Sequence, residues 1–149
     1  MTKAELLREK AENGDFLAQY ELGVALKDEN RYEEALHRLK ESAGQGYIPA
    51  DYEAGICCGY LNRGEEALAC FLRAAKDGFI PAMWELGKLY ESNAQYDEAF
   101  SWLLKAAENG FEPAMPEVAR MYETGKGVEK SSEKAAHWRT LAKKAFETE

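Results

Sequence analysis

Ten residues, Gly-Phe-Ile-Pro-Ala-Met-Trp-Glu-Leu-Gly at positions 78–87 ("GFIPAMWELG"), decide how this chain is read. The phrase recurs 32 residues earlier as "GYIPADYEAG" (46–55) and 32 residues later as "GFEPAMPEVA" (110–119). A further copy, "GDFLAQYELG", stands at 14–23. A fixed period of this length marks a stacked-repeat architecture. Its columns are glycine (Gly14, Gly46, Gly78, Gly110), then alanine (Ala18, Ala50, Ala82, Ala114), then a small residue (Gly23, Gly55, Gly87, Ala119).

Each unit reads as two helices. In the third copy, Ala82, Leu86, Leu89 and Tyr90 fall on one helical face, and after "SNAQYDEA" a second face runs through Ala99, Trp102, Leu103, Ala106 and Ala107. A second alanine column, Ala35, Ala67 and Ala99, continues at Ala135 after a four-residue insertion. Glycine just past each second helix suits a left-handed helix end. Pro49, Pro81 and Pro113 then suit a new first turn, where a missing N–H is harmless. The acidic pairs Glu33-Glu34, Glu65-Glu66 and Asp97-Glu98 open each second helix, where the helix dipole favours negative charge. Gly23, Gly55 and Gly87 lie inside helical patterns at a cost of about 1 kcal/mol each relative to alanine. Since the fourth copy uses Ala119, smallness is what the column needs, and a closely crossing helix is the expected reason.

One such hairpin cannot bury its apolar face alone, but a stack can. The expected fold is therefore all-α: an α-solenoid of four stacked helix-turn-helix units, about 15–46, 47–78, 79–110 and 111–147, forming one domain with a concave wall. The segment 3–13, "KAELLREKAEN", matches "WLLKAAEN" at 102–109 and reads as a capping helix. The charged tail 142–149 reads as solvating the other end.

The 149 residues are 46% apolar and 31% charged, as in a folded water-soluble domain. No run of about 18 apolar residues suggests a membrane span, and "MTKAELLREK" carries no apolar signal core. A cytoplasmic location is the expectation. The formal charge of −8 argues against nucleic acid and against anionic membrane surfaces. It is compatible with a basic partner, and equally with a role in keeping the chain in solution. Cys57, Cys58 and Cys70 are odd in number and lack metal-ligand spacing, so they read as buried reduced thiols.

The units resemble the Sel1-like repeats, relatives of the tetratricopeptide repeats. That resemblance rests on Ala114, Val118, Ala119, Tyr122, "GKGV" (125–128), "KAAHW" (134–138) and Ala142 in the last unit. In the third unit it rests on Ala82, Leu86, Gly87, Tyr90, Ala99, Trp102, Ala106 and Gly110. The first three units lack the G-x-G-V loop; the turns "ENRYEEA" (29–35) and "NAQYDEA" (93–99) are closer to the tetratricopeptide style, and the second unit's "LNRGEEA" (61–67) has Gly64 in place of the tyrosine. The resemblance implies a non-catalytic scaffold for protein–protein interaction, often bacterial.

Nothing in the sequence assembles a reaction centre. His37 and His137 lie on second helices of different units and read as surface residues. "GKGV" lacks the phosphate-loop spacing and a preceding strand. No metal, cofactor or small-molecule substrate is implied. The candidate binding surface is the inner face of the first helices: Tyr20, Val24 and Lys27; Tyr52, Ile56 and Tyr60; Trp84, Lys88 and Glu91; Arg120 and Glu123. Tyr20, Tyr52 and Trp84 form an aromatic column that serves either packing or binding. Two functions fit: an adaptor gripping a peptide or protein in the groove, or a stoichiometric, immunity-type inhibitor of a basic toxic enzyme.

Overall fold

The computed structural model describes residues 1–147; the last two residues of the tail expected to solvate the C-terminal end, Thr148 and Glu149, lie outside them. Among the described residues there are nine α-helices and no strand, and the fold is the all-α solenoid of helix-turn-helix repeats expected from the sequence. The chain divides into two compact units, Met1–Phe79 and Ile80–Glu149.

The first unit holds α1 (Lys3–Glu12), α2 (Phe16–Asp28), α3 (Tyr32–Gly44), α4 (Ile48–Tyr60) and α5 (Gly64–Lys76). Helices α2 and α3 form one hairpin and α4 and α5 the next, with α1 packed on α2 and α3 on α4. Thr2 and Glu5 close a capping box at the start of α1, and Asp15 caps α2 by accepting from the amides of Leu17 and Ala18. Polar side chains then fasten the helices. Ser42 donates to the carbonyl of Phe16 at 2.8 Å. The buried Gln19 donates to Ala11 O at 3.1 Å and accepts from Gln45 at 2.8 Å.

The second unit holds α6 (Ile80–Ser92), α7 (Tyr96–Glu108), α8 (Ala114–Thr124) and α9 (Ser132–Glu147). Its hairpins are α6 with α7 and α8 with α9, and α7 packs on α8. Helix α8 starts later in its repeat than the others. Pro116 has no amide to donate to Glu112, so the entry to α8 is made by shorter bonds, Ala114 N to Phe111 O and Met115 N to Glu112 O. Pro113 therefore stands at the N-cap rather than inside the first turn. The four-residue insertion folds back on α7. A Cβ on Gly127 would drive into the Tyr96 carbonyl, and Lys126 lies over the Tyr96 ring at 5.0 Å.

The repeat columns explain both kinds of turn. Gly14, Gly46, Gly78 and Gly110 all have φ between 86° and 91°, as expected past a helix end. The turns inside the first three hairpins use a second left-handed position, filled by Asn30, Asn62 and Ala94, with φ of 63°, 63° and 58°.

The small-residue column faces the partner helix of its own hairpin. A Cβ on Gly23 would come within 2.6 Å of Leu39, on Gly55 within 2.6 Å of Phe71, and on Gly87 within 2.5 Å of Leu103. The crossing is close, but the atoms filling the space are side chains. Among the three nearest atoms at each site, backbone enters at Gly23, where Ala35 O stands at 3.4 Å. In the last hairpin the residue matching Leu39, Phe71 and Leu103 is Arg139. It is half exposed and held on Glu123 at 2.5 Å, which leaves room for Ala119.

Candidate functional site

In the first unit, α2 and α4 adjoin directly and carry six of the candidate residues. Lys27, near the end of α2, reaches Glu53 of α4 at 2.5 Å, both side chains mostly buried. Burial alone would pull the Lys27 ammonium down; the hydrogen bond and charge of Glu53 outweigh it and hold it above its ordinary range. Tyr20 is half-buried beside this pair, and its phenol is pushed up by burial and then by Glu53. Val24 is half-buried on the same helix. Ile56 and Tyr60 line a depression of about 310 Å³ with Lys27, Asp28, Asn30 and Tyr32. Tyr60 is 65% exposed, and its ring stacks on Tyr32 with centroids 4.6 Å apart and planes within 9°.

The second unit repeats the plan with charges exchanged. Glu91 occupies the repeat position of Lys27, and Glu117 that of Glu53. Two carboxylates would face each other there. Arg120 sits between them, its guanidinium 2.7 Å from Glu91 and 2.6 Å from Glu117. Hydrogen bonds to Glu117 and Glu91 raise the guanidinium further above its already high range. Lys88 lies over the Trp84 ring at 5.3 Å and pairs with Glu85 at 3.3 Å. Glu123 is turned to Arg139 on α9.

The aromatic column has a packing role in both units. Tyr20 packs on Tyr47 (5.0 Å), Tyr52 on Phe79 (5.2 Å) and Trp84 on Phe111 (5.6 Å). Each partner is the residue after a left-handed glycine, so a first-helix ring in one repeat is fastened by the ring that opens the next. All three column residues are half-buried, which leaves part of each surface accessible. Sequence reasoning had the partners inside the quoted phrase (Gly46-Tyr47, Gly78-Phe79, Gly110-Phe111) but followed the glycine column past them. It also passed over Glu53, Glu117 and Tyr32, which are found only by pairing one repeat with the next.

The thiols are buried and unbridged. Burial pushes Cys57 and Cys70 up to about 11, so they are protonated at neutral pH. Among the described residues no group of three or more His, Cys, Asp or Glu could hold a metal ion, and no helix is long and apolar enough to cross a membrane.

The Sel1 repeat family model matches residues 41–79, 80–111 and 113–145. The chain belongs to the Sel1 repeat family. A search of curated proteins finds no significant match. Among solved structures, the Sel1 chain is similar to c5321 of uropathogenic Escherichia coli, described as a protective antigen with an SLR fold. That likeness has 27% identity and a TM-score of 0.82, covering 93% of this chain and 32% of that one. A Sel1 repeat protein from Oxalobacter formigenes matches at 23% identity and a TM-score of 0.78, covering 95% and 61%. YrrB, a tetratricopeptide repeat protein described as having an unusual peptide-binding site, matches at 21% identity and a TM-score of 0.66, covering 97% and 81%. The Sel1 chain thus spans less than two thirds of the length of the first two.

Proposed function

We propose that this Sel1 repeat protein is a non-catalytic scaffold that holds another protein or peptide on the first helices of its hairpins. Sel1 and related repeats generally bind proteins or peptides. The supporting observation in this chain is how charge and aromatic surface are distributed. Helices α2, α4, α6 and α8 carry eight carboxylates (Glu21, Asp28, Asp51, Glu53, Glu85, Glu91, Glu117, Glu123) against three cations (Lys27, Lys88, Arg120). They also present exposed or half-exposed Tyr60, Trp84 and Tyr20. Aromatic rings in an acidic setting suit a basic partner. The protein is taken to act in the cytoplasm, where three unbridged thiols fit a reducing environment.

The test is to identify a partner by co-purification from the native cell and titrate it against variants. Tyr60→Ala, on a first helix, should weaken binding in a chain that still melts cooperatively, with at most a small fall in melting temperature from the lost stack on Tyr32; Lys40→Ala, on a second helix, should leave binding unchanged. Equal binding by Tyr60→Ala, together with weakened binding by Lys40→Ala, would place the partner on the other helices and end the reading. A stoichiometric inhibitor of a basic enzyme is the second reading, favoured by the same excess of carboxylates. It requires an association rate that drops steeply with ionic strength.

A further inference from the structure

In the first unit, α2 ends at Asp28 and α4 at Tyr60, beside the depression formed with Lys27, Asn30, Tyr32 and Ile56. Three of its features share one electrostatic sense. The exposed Tyr60 ring lies flat on Tyr32, which is itself fixed by a hydroxyl donating to Asn30 at 2.7 Å. An aromatic face carries negative charge density and attracts an ammonium or guanidinium group. Helix C-termini carry partial negative charge, and α4 has no basic residue in its last turn to offset it. The Asp28 side chain is exposed, while Lys27, the cation lining the depression, is already held by Glu53.

We propose that this depression receives an arginine side chain of a basic protein partner, its guanidinium stacked on Tyr60 and its charge balanced by Asp28. The proposal rests on the scaffold function for its partner and adds the chemistry of the anchor. Arginine fits better than lysine because a planar, weakly hydrated guanidinium stacks on a flat ring. Ile56 offers apolar surface to the aliphatic stem. On α2 and α4 four carboxylates (Glu21, Asp28, Asp51, Glu53) stand against one cation, Lys27, so that even with Glu53 held by Lys27 and Asp51 by Arg73 of α5 the two helices favour a basic segment over an acidic one.

The experiment is an NMR titration of the full chain with a tetra-arginine peptide, with a tetra-glutamate peptide as control. Wild type, Tyr60→Leu and Asp28→Asn are compared. Both replaced side chains are exposed, and melting curves check that each variant is folded. The arginine peptide should shift amide resonances at 27–32 and 56–62, and the glutamate peptide should not. Tyr60→Leu should weaken binding roughly two- to fivefold. Asp28→Asn should weaken it by a similar factor at low salt and flatten its salt dependence. Shifts spread evenly over the acidic surface, or unchanged affinity in both variants, overturn the proposal. The two proposals separate cleanly. A native partner bound equally by wild type and both variants overturns the arginine anchor alone, and a partner whose footprint avoids the first helices overturns the scaffold.

Discussion

Gly87→Ala has an expected sign that depends on the packing described above. By helix propensity alone the substitution should stabilise, by about 1 kcal/mol. The structure reverses this. The new methyl would stand 2.5 Å from two carbons of Leu103, where carbon–carbon contact is ordinarily about 3.5–4.0 Å. Leu103 is 1% exposed, so it has little free space into which to move. Overpacking costs about 1–3 kcal/mol, and two contacts as close as 2.5 Å on a buried side chain place this site in the upper part of that range, about 2–3 kcal/mol, which leaves a net loss of about 1–2 kcal/mol after the propensity gain of about 1 kcal/mol. For a chain of this size that is a fall of roughly 2–8 °C in melting temperature. Gly59→Ala supplies the opposite control. It also lies in a helix, but nothing stands within 4 Å of its added methyl, so it should stabilise by up to about 1 kcal/mol. Leu103→Ala alone should cost about 2–5 kcal/mol through the cavity it leaves. Combined with Gly87→Ala, it should lose less than the two single costs together, since the methyl then enters that cavity. Urea titration and thermal melting of the four variants measure all of this. If Gly87→Ala raises stability as Gly59→Ala does, the interlocked hairpin is refuted.

Other perturbations follow from the same structure. Ala94 holds a left-handed conformation that costs an L residue about 1–2 kcal/mol, while the matching positions carry Asn30 and Asn62. Ala94→Asn should therefore raise stability by about 0.5 kcal/mol in urea titration, and a loss would contradict the turn geometry. Arg120→Ala leaves Glu91 and Glu117 facing each other and should cost about 1 kcal/mol at low salt, shrinking as salt rises, as expected for partly exposed charges. Cys70 is pushed up to about 11 by burial, so its neutral form is favoured by folding; that contribution is complete below pH ~9 and is lost as pH rises through ~11. Stability against urea should fall over this window, and Cys70→Ala should flatten the fall. Gly127→Ala should destabilise by several kcal/mol, because its methyl meets the Tyr96 carbonyl; a melting temperature within a degree of wild type would contradict that packing.

The repeat was legible because each unit uses the same few devices in the same columns. The period, the left-handed glycines, the acidic first turns and the small-residue column act within one hairpin or at its edge, so they leave a local mark in sequence. What escaped reading lies between repeats. Lys27 with Glu53 and Glu91 with Arg120 are 26 and 29 residues apart and exchange sign from one pair to the other, so no column of like residues announces them. The Tyr20–Tyr47, Tyr52–Phe79 and Trp84–Phe111 pairs were visible as two aromatic columns, but joining them requires knowing how one hairpin lies on the next. Asn30, Asn62 and Ala94 share a conformation without sharing a residue type, and the third hides the column. The candidate surface was drawn from helical periodicity alone. Periodicity identifies which residues avoid the core, but not that Glu123 turns to Arg139 or that Tyr60 rests on Tyr32.

Hydrogen exchange on the full chain, with and without a co-purified partner, most directly tests the claim that partners are held on the first helices. Slowed exchange in α2, α4, α6 and α8 and at the turns that follow them, with α3, α5, α7 and α9 otherwise unchanged, is the predicted result. Protection of α3, α5, α7 and α9 with the first helices unchanged would contradict it.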